Sequence, residues 1–171
     1  MTATLTPKDP WAVFEYEADQ FTSMLALLPS GNQEREAFPK PIQNAITESA
    51  LLHARQLADI FLSRGTGSDD INLDDQLLKG YKPACFDELK KEYGDSNKKG
   101  DICWQLNKLL AHPTLNRGKC YDYTDLLEKL APLLIDTIRE VRAQHTAGEP
   151  PTNAKKPFVR LPPGLSAKTS S

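Results

Sequence analysis

Residues 41–64 read PIQNAITESALLHARQLADIFLSR, and this stretch decides the fold. Its apolar side chains, among them Ile42, Leu51, Leu57 and Phe61, recur at helical intervals and cover most of the helix circumference. A helix that is apolar nearly all round belongs in the centre of a bundle rather than on its surface. The stretch therefore predicts the central helix of an all-α protein.

Helices of the usual amphipathic kind are predicted on both sides of this central one. Apolar spacing indicates main helices over about residues 10–28, 98–112 and 123–145, and FDELKKEY over 86–93 predicts a short accessory helix. Pro132 lies inside the last of them and predicts a kink there, or a break into two pieces. The expected fold is an all-α helical bundle of about four main helices with short accessory helices and a flexible C-terminal tail.

The composition separates a folded part from a tail. Residues 1–147 form the predicted helical bundle domain, and residues 148–171, rich in proline and lysine, form a disordered basic tail. The chain has a net charge of -2, and residues 150–171 contain four basic residues and no acid, which leaves -6 on residues 1–149. A broad basic surface for duplex nucleic acid is therefore not expected in the folded part.

The N-terminal sequence and the hydropathy indicate a cytoplasmic protein without a membrane span. No basic segment followed by an apolar one opens the chain, and the mean hydropathy is -0.50. Cys85, Cys103 and Cys120 are odd in number and widely spaced, which favours free thiols over disulfides or a zinc site, with Cys103 expected to be buried.

One polar stripe interrupts the apolar surface of the central helix. Glu48, Arg55 and Asp59 are separated by seven and four residues, so their side chains point within roughly 40° of one another. The simpler interpretation is a structural salt-bridge network, and the alternative is a functional site. His53 points about 160° away from Arg55 and is expected to be a core histidine.

A second group of polar residues marks the next main helix. Asp101, Gln105, Lys108 and His112 recur at intervals of four, three and four, so they share one face, and Arg117 follows in an irregular segment. Together with Arg55, the cations Lys108 and Arg117 would bind an anion such as phosphate or carboxylate. His112 would exchange a proton there as the candidate catalytic residue. The alternative for His112 is a helix-capping role.

No cofactor or metal is predicted. The sequence contains no Gly-rich phosphate loop, no G-x-S-x-G and no H-E-x-x-H. DDINLDDQ over 69–76 lacks the glycine and terminal glutamate of a calcium loop, so we expect a loop in which Asp74 or Asp75 caps a short turn.

Two strings carry a resemblance to known proteins. ESALLHARQLADIF (48–61) and LNKLLAHPTLNR (106–117) resemble a group of small bacterial helical proteins, which implies a helical fold and no particular activity. A more distant similarity is to HEPN-type helical bundles, many of which are metal-independent ribonucleases with an R-x(4–6)-H motif. His112 matches the histidine of that motif, whereas no arginine lies between Gly100 and His112. Lys108 cannot reproduce the planar arginine fork.

These observations leave two functions from different classes, and a third, a small-molecule enzyme, rests only on the general association of perturbed charges with functional sites. The first is a non-catalytic interaction or regulatory protein with an Arg/His cluster between the central helix and the next main helix, in which Glu48, His53 and Asp59 orient or brace the cluster. An apolar surface on the first or last main helix would favour a protein partner or a homodimer. The second is a HEPN-like ribonuclease or nucleotide-binding protein that uses His112, and only this function implies RNA or a nucleotide as ligand.

Overall fold

The computed structural model describes residues 9–28, 38–65, 67, 70–109 and 124–148, and within them the protein is all-α. No strand occurs in these ranges. The described elements are three long helices, two helices of eight residues and a single π-helical turn. In chain order they are α1 (Pro10–Leu27), α2 (Lys40–Phe61), the π-turn (Leu73–Leu77), α3 (Phe86–Tyr93), α4 (Ile102–Leu109) and α5 (Thr124–Gly148).

Helix α1 begins where its sequence indicates. The Asp9 carboxylate accepts a hydrogen bond from the Trp11 backbone N–H at 3.1 Å, and Pro10 occupies the first helical position, where its missing N–H costs nothing. Phe14 and Phe21 are fully buried on one face of the helix. Each such side chain contributes about 1.5–3 kcal/mol through the apolar surface that it removes from water.

Helix α2 is the centre of the molecule, as the sequence predicts. It packs against α1, the π-turn, α3, α4 and α5. All eight of its buried residues lie between Ala50 and Phe61, and none lies in residues 40–49. The Phe61 ring contacts the Phe14 ring with centroids 5.9 Å apart. The N-terminal half of α2 therefore extends beyond the main core.

Helix α4 begins at Ile102, four residues later than predicted. The backbone takes positive φ values at Gly94 (70°) and Gly100 (102°), which a right-handed helix cannot include. The Asp101 carboxylate accepts a hydrogen bond from the Asp95 N–H at 2.8 Å and holds the turn between α3 and α4. That hydrogen bond is also the main cause of a lowered Asp101 pKa.

Helix α5 continues through Pro132, so of the two predicted outcomes, a kink or a break into two pieces, the break does not occur. Proline removes only one donor, the one that would reach the Glu128 carbonyl, and Glu128 is exposed, so water can solvate that carbonyl. The apolar face of the helix buries Leu130, Leu134 and Val141 among other residues.

Local polar contacts hold the described residues of the segment between α2 and α3. The Ser63 hydroxyl donates to the Asp74 carboxylate at 2.5 Å, and the Asn72 side chain joins Gly65 through its amide. Asp74 and Asp75 lie at the start of the π-turn, and its N-cap residue, Asn72, makes no side-chain capping hydrogen bond. The prediction that one of these acids caps a short turn is thus replaced by a tether from Ser63.

None of the helices in the described part of the chain combines the length and apolarity needed to cross a bilayer. The cytoplasmic location stays a prediction. The tail over 148–171 falls outside the described residues except for Gly148, so its flexibility and the domain boundary also stay predictions.

Candidate functional site

A half-buried polar network joins α2 to α3. The Tyr93 hydroxyl, at the end of α3, donates a hydrogen bond to the Asp59 carboxylate at 3.1 Å. The other oxygen of that carboxylate lies 3.7 Å from Arg55 Nε, one helical turn earlier on α2. This Nε–H is buried and has no hydrogen-bond partner. The Arg55–Asp59 pair is therefore an ion pair without a hydrogen bond.

Arg64, three residues after the end of α2, extends the network to α4. Its guanidinium lies over the Tyr93 ring, 4.9 Å from the ring centroid, and donates to the Gly94 carbonyl oxygen. It also donates to the Cys103 sulfur on α4 at 3.3 Å. We call Arg55, Asp59, Arg64, Tyr93 and Cys103 the polar network. Each contact within the polar network either joins two separate segments of the chain or lies within α2, as expected of contacts that fix how the helices pack.

Burial sets the protonation behaviour of the polar network. The Asp59 pKa is raised, chiefly because burial penalises the carboxylate, while the Tyr93 hydrogen bond and the charges of Arg55 and Arg64 act in the opposite direction. Burial and the nearby Asp59 charge raise the Tyr93 pKa, so the hydroxyl keeps its proton and acts as a donor. The polar network thus offers one carboxylate whose charge is only partly compensated.

A second polar cluster links α5 to the start of α3. Cys85 Sγ lies 2.8 Å from Thr137 Oγ1, and burial raises the pKa of the Cys85 thiol. A thiol with a raised pKa is a poor nucleophile. The Glu140 carboxylate accepts hydrogen bonds from the Tyr81 hydroxyl and the Ala84 N–H. These contacts attach the loop before α3 to α5.

The structure separates several residues that the sequence groups together. Glu48 lies on α2 but is exposed, and the ion pairs of the described residues do not include it. Lys108 is exposed near the end of the described part of α4. His112 and Arg117 fall outside the described residues, so a common site for Arg55 and His112 stays a prediction. Among the described residues, no group of three His, Cys, Asp or Glu side chains could hold a metal ion.

His53 is buried on a different side of α2 from Arg55, paired with a residue of α1. Its Nδ1 lies 2.6 Å from the Glu17 carboxylate, and its ring meets the Tyr16 ring edge-on at 6.0 Å between centroids. Sequence reasoning identifies a buried histidine but not its partner, because the spacing within one helix says nothing about the facing helix. Tyr93 and Arg64 were missed for the same reason.

The contacts of His53 locate an exposed apolar strip between α1 and α2. The two helices are antiparallel, because Glu17 meets His53 whereas Phe14 meets Phe61 further along α2. Moving eleven residues along each helix from the contact of Tyr16 with His53 leads to Leu27 on α1 and Ile42 on α2. Eleven residues turn a helix by about three full turns, so each pair shares one line along its helix.

We call this strip the α1–α2 seam and define it by its exposed residues Tyr16, Leu27 and Ile42. Their exposed fractions are 57%, 45% and 45%. Phe38, which lies one turn before Ile42 in the chain, is exposed to 39%. The seam thus contains three of the five large apolar residues that are exposed in the described part of the chain.

The acidic side chains of α1 are already used inside the chain. Arg142 on α5 makes a two-point contact with Glu15, with Nε 3.0 and 3.1 Å from its two oxygens, and reaches Asp19 at 2.8 Å. Glu17 is paired with His53, and Asp9 caps the helix. The Trp11 ring stacks on the His145 ring at 3.6 Å between centroids, next to the Arg142 contact.

Comparisons with known proteins do not add a relative. No family model, no curated protein and no solved structure matches the chain.

Proposed function

We propose that this chain is a non-catalytic interaction protein that contacts a partner through the α1–α2 seam. The observation that carries the proposal is the exposure of three large apolar side chains, which helix geometry places along one edge of a helical hairpin. Removing apolar side chains from water lowers the free energy of the system, so a row of them on a surface is typical of a binding site.

The polar network has a structural role in this proposal. Its members pair with one another across α2, α3 and α4, and ionic groups that are paired in this way more often fix packing than carry chemistry. The described residues offer no activated nucleophile beside a base, since the Cys85 pKa is raised and His53 is held by Glu17. Arg55 retains an anion-binding role only if a ligand replaces its weak contact with Asp59.

A site-specific crosslinking experiment tests the interaction proposal. A photoreactive amino acid is placed at position 27, in the seam, or at position 52, and the chain is irradiated in lysate of its source cells. Leu52 is the matched control, because it is exposed to a similar fraction, 43%, and directly precedes His53 on α2. One residue turns the helix by about 100°, so Leu52 points away from the seam.

We expect an adduct of defined mass from position 27 and none from position 52. Equal labelling from both positions, or no adduct from position 27, would contradict the proposal. Crosslinking at position 27 does not depend on the identity of the partner, so the experiment tests the seam and not a particular ligand.

A further inference from the structure

We propose that the occupant of the α1–α2 seam is a second copy of this chain, bound through the same seam. The inference rests on the proposed function and adds the partner. Two hairpins would meet along their seams about a two-fold axis, with α1 and α2 of each copy forming a four-helix arrangement.

The first argument is the incomplete core at the tip of the hairpin. Phe21 and Leu25 on α1 are buried, yet the facing residues 40–49 of α2 contain no buried side chain. A helix pair buries its apolar stripes fully only when another layer covers them. The described residues leave Leu27 and Ile42 each 45% exposed at this tip. An element that covers the seam must be extended, because the seam from Tyr16 to Leu27 runs for about 16 Å along the helix axis.

The second argument is the charge of the surface. A two-fold interface places each patch against itself, so an exposed charge near the axis would meet its own copy and repel it. Between the two ends of the seam, the helical positions that face it are Gln20 and Met24 on α1 and Ile46 and Ser49 on α2. All four are uncharged. The nearest charge beside the seam on α1 is Asp19, on the side of α5, and it is paired with Arg142. The middle of the seam therefore meets its own copy without an unpaired like charge.

The third argument separates a second copy from a charged partner. A basic partner would need free acids on α1, but Arg142 and His53 hold its three acids, and the N-cap residue Asp9 accepts a hydrogen bond from the helix N-terminus. Helix α1 contains no lysine or arginine for an acidic partner either. The exposed charges in the first half of α2, Lys40 and Glu48, are turned by more than about 100° from Ile42. What the seam itself offers to a partner is apolar surface, and residues 1–149 with their net charge of -6 can approach a second copy closely only through such an uncharged face.

Sedimentation equilibrium of the purified full-length chain tests the inference. We expect a concentration-dependent mass that approaches twice 19.0 kDa for the wild type. Leu27→Glu and Ile42→Glu each place a like charge in both halves of the interface and should weaken dimerisation by at least about tenfold. Leu52→Glu, on the same helix as Ile42 and equally exposed, should leave the dimerisation constant within about twofold.

Each outcome either supports or overturns the proposal that the seam binds a second copy. A wild type that stays monomeric up to high micromolar concentration overturns it, and an adduct with a different protein at position 27 would then still support the interaction function. A dimer that survives Ile42→Glu, or that Leu52→Glu disrupts equally, places the interface elsewhere and also overturns the inference. Circular dichroism verifies that each variant keeps the wild-type helicity, and Ile42→Ser replaces Ile42→Glu in the test if it does not.

Discussion

The Tyr93 hydroxyl is the most informative single group to remove. Tyr93→Phe keeps the buried ring and its contact with the Arg64 guanidinium but deletes the donor to the Asp59 carboxylate. A hydrogen bond to a charged group contributes about 1.5–3 kcal/mol when its loss leaves that group unpaired. The Asp59 side chain is 31% exposed, so water replaces part of the loss. We therefore expect the free energy of unfolding to fall by about 1–2 kcal/mol at neutral pH.

Urea unfolding followed by circular dichroism measures this change. The m-value should stay constant, because the substitution alters no helix and little surface. Tyr16→Phe is the matched control, since Tyr16 is mostly exposed and surface substitutions change stability by less than about 0.5 kcal/mol. If Tyr93→Phe costs no more than Tyr16→Phe, the polar network does not brace the helices and our reasoning about it fails.

The effect of Tyr93→Phe should also depend on pH. The Tyr93 hydrogen bond lowers the Asp59 pKa against the larger effect of burial, so its loss moves the folded-state pKa further above the unfolded value. A carboxyl whose folded-state pKa is above its unfolded value destabilises the folded protein at high pH, because the native state must then hold a buried charge. This cost disappears as the pH falls and the carboxyl is protonated in both states. The difference between variant and wild type should therefore grow as the pH rises through the Asp59 pKa and shrink below it. A difference that is equal at acid and neutral pH would contradict the assignment to Asp59.

Three further predictions test the packing and the alternative function. Gly94→Ala should lower the thermal stability clearly more than Gly80→Ala. Both glycines have φ near 70°, but only at Gly94 would a Cβ lie 2.3 Å from the Asp101 carboxyl group. Equal losses of stability for the two variants would contradict this prediction. Arg142→Lys keeps the charge but removes the planar guanidinium that binds two acids of α1. The free energy of unfolding measured in urea should therefore fall by about 1 kcal/mol. An unchanged free energy would mean that the planar guanidinium does not contribute to stability. Wild-type chain incubated with mixed RNAs and EDTA should leave them intact at dimerising concentrations, whereas cleavage that His112→Ala abolishes would establish the HEPN-like alternative.

The sequence alone determined the helical class and the central position of α2. Both follow from periodicity within a single helix, because a side chain's direction is set by its position along the chain. The same local reasoning located α1 and α3 closely and predicted that Cys103 is buried, which the structure confirms. It failed at the start of α4, where a hydrogen bond between two loop residues and a glycine conformation override the apolar pattern.

The candidate site depended on contacts that no single helix encodes. Spacing placed Arg55 and Asp59 on one face, but only the folded chain brings Tyr93 to Asp59, Arg64 to Cys103 and Glu17 to His53. The two partners in each of these pairs are more than thirty residues apart, so they meet only when the helices pack. The α1–α2 seam has the same origin: an exposed apolar residue is ordinary by itself and becomes a surface only when antiparallel packing aligns it with others.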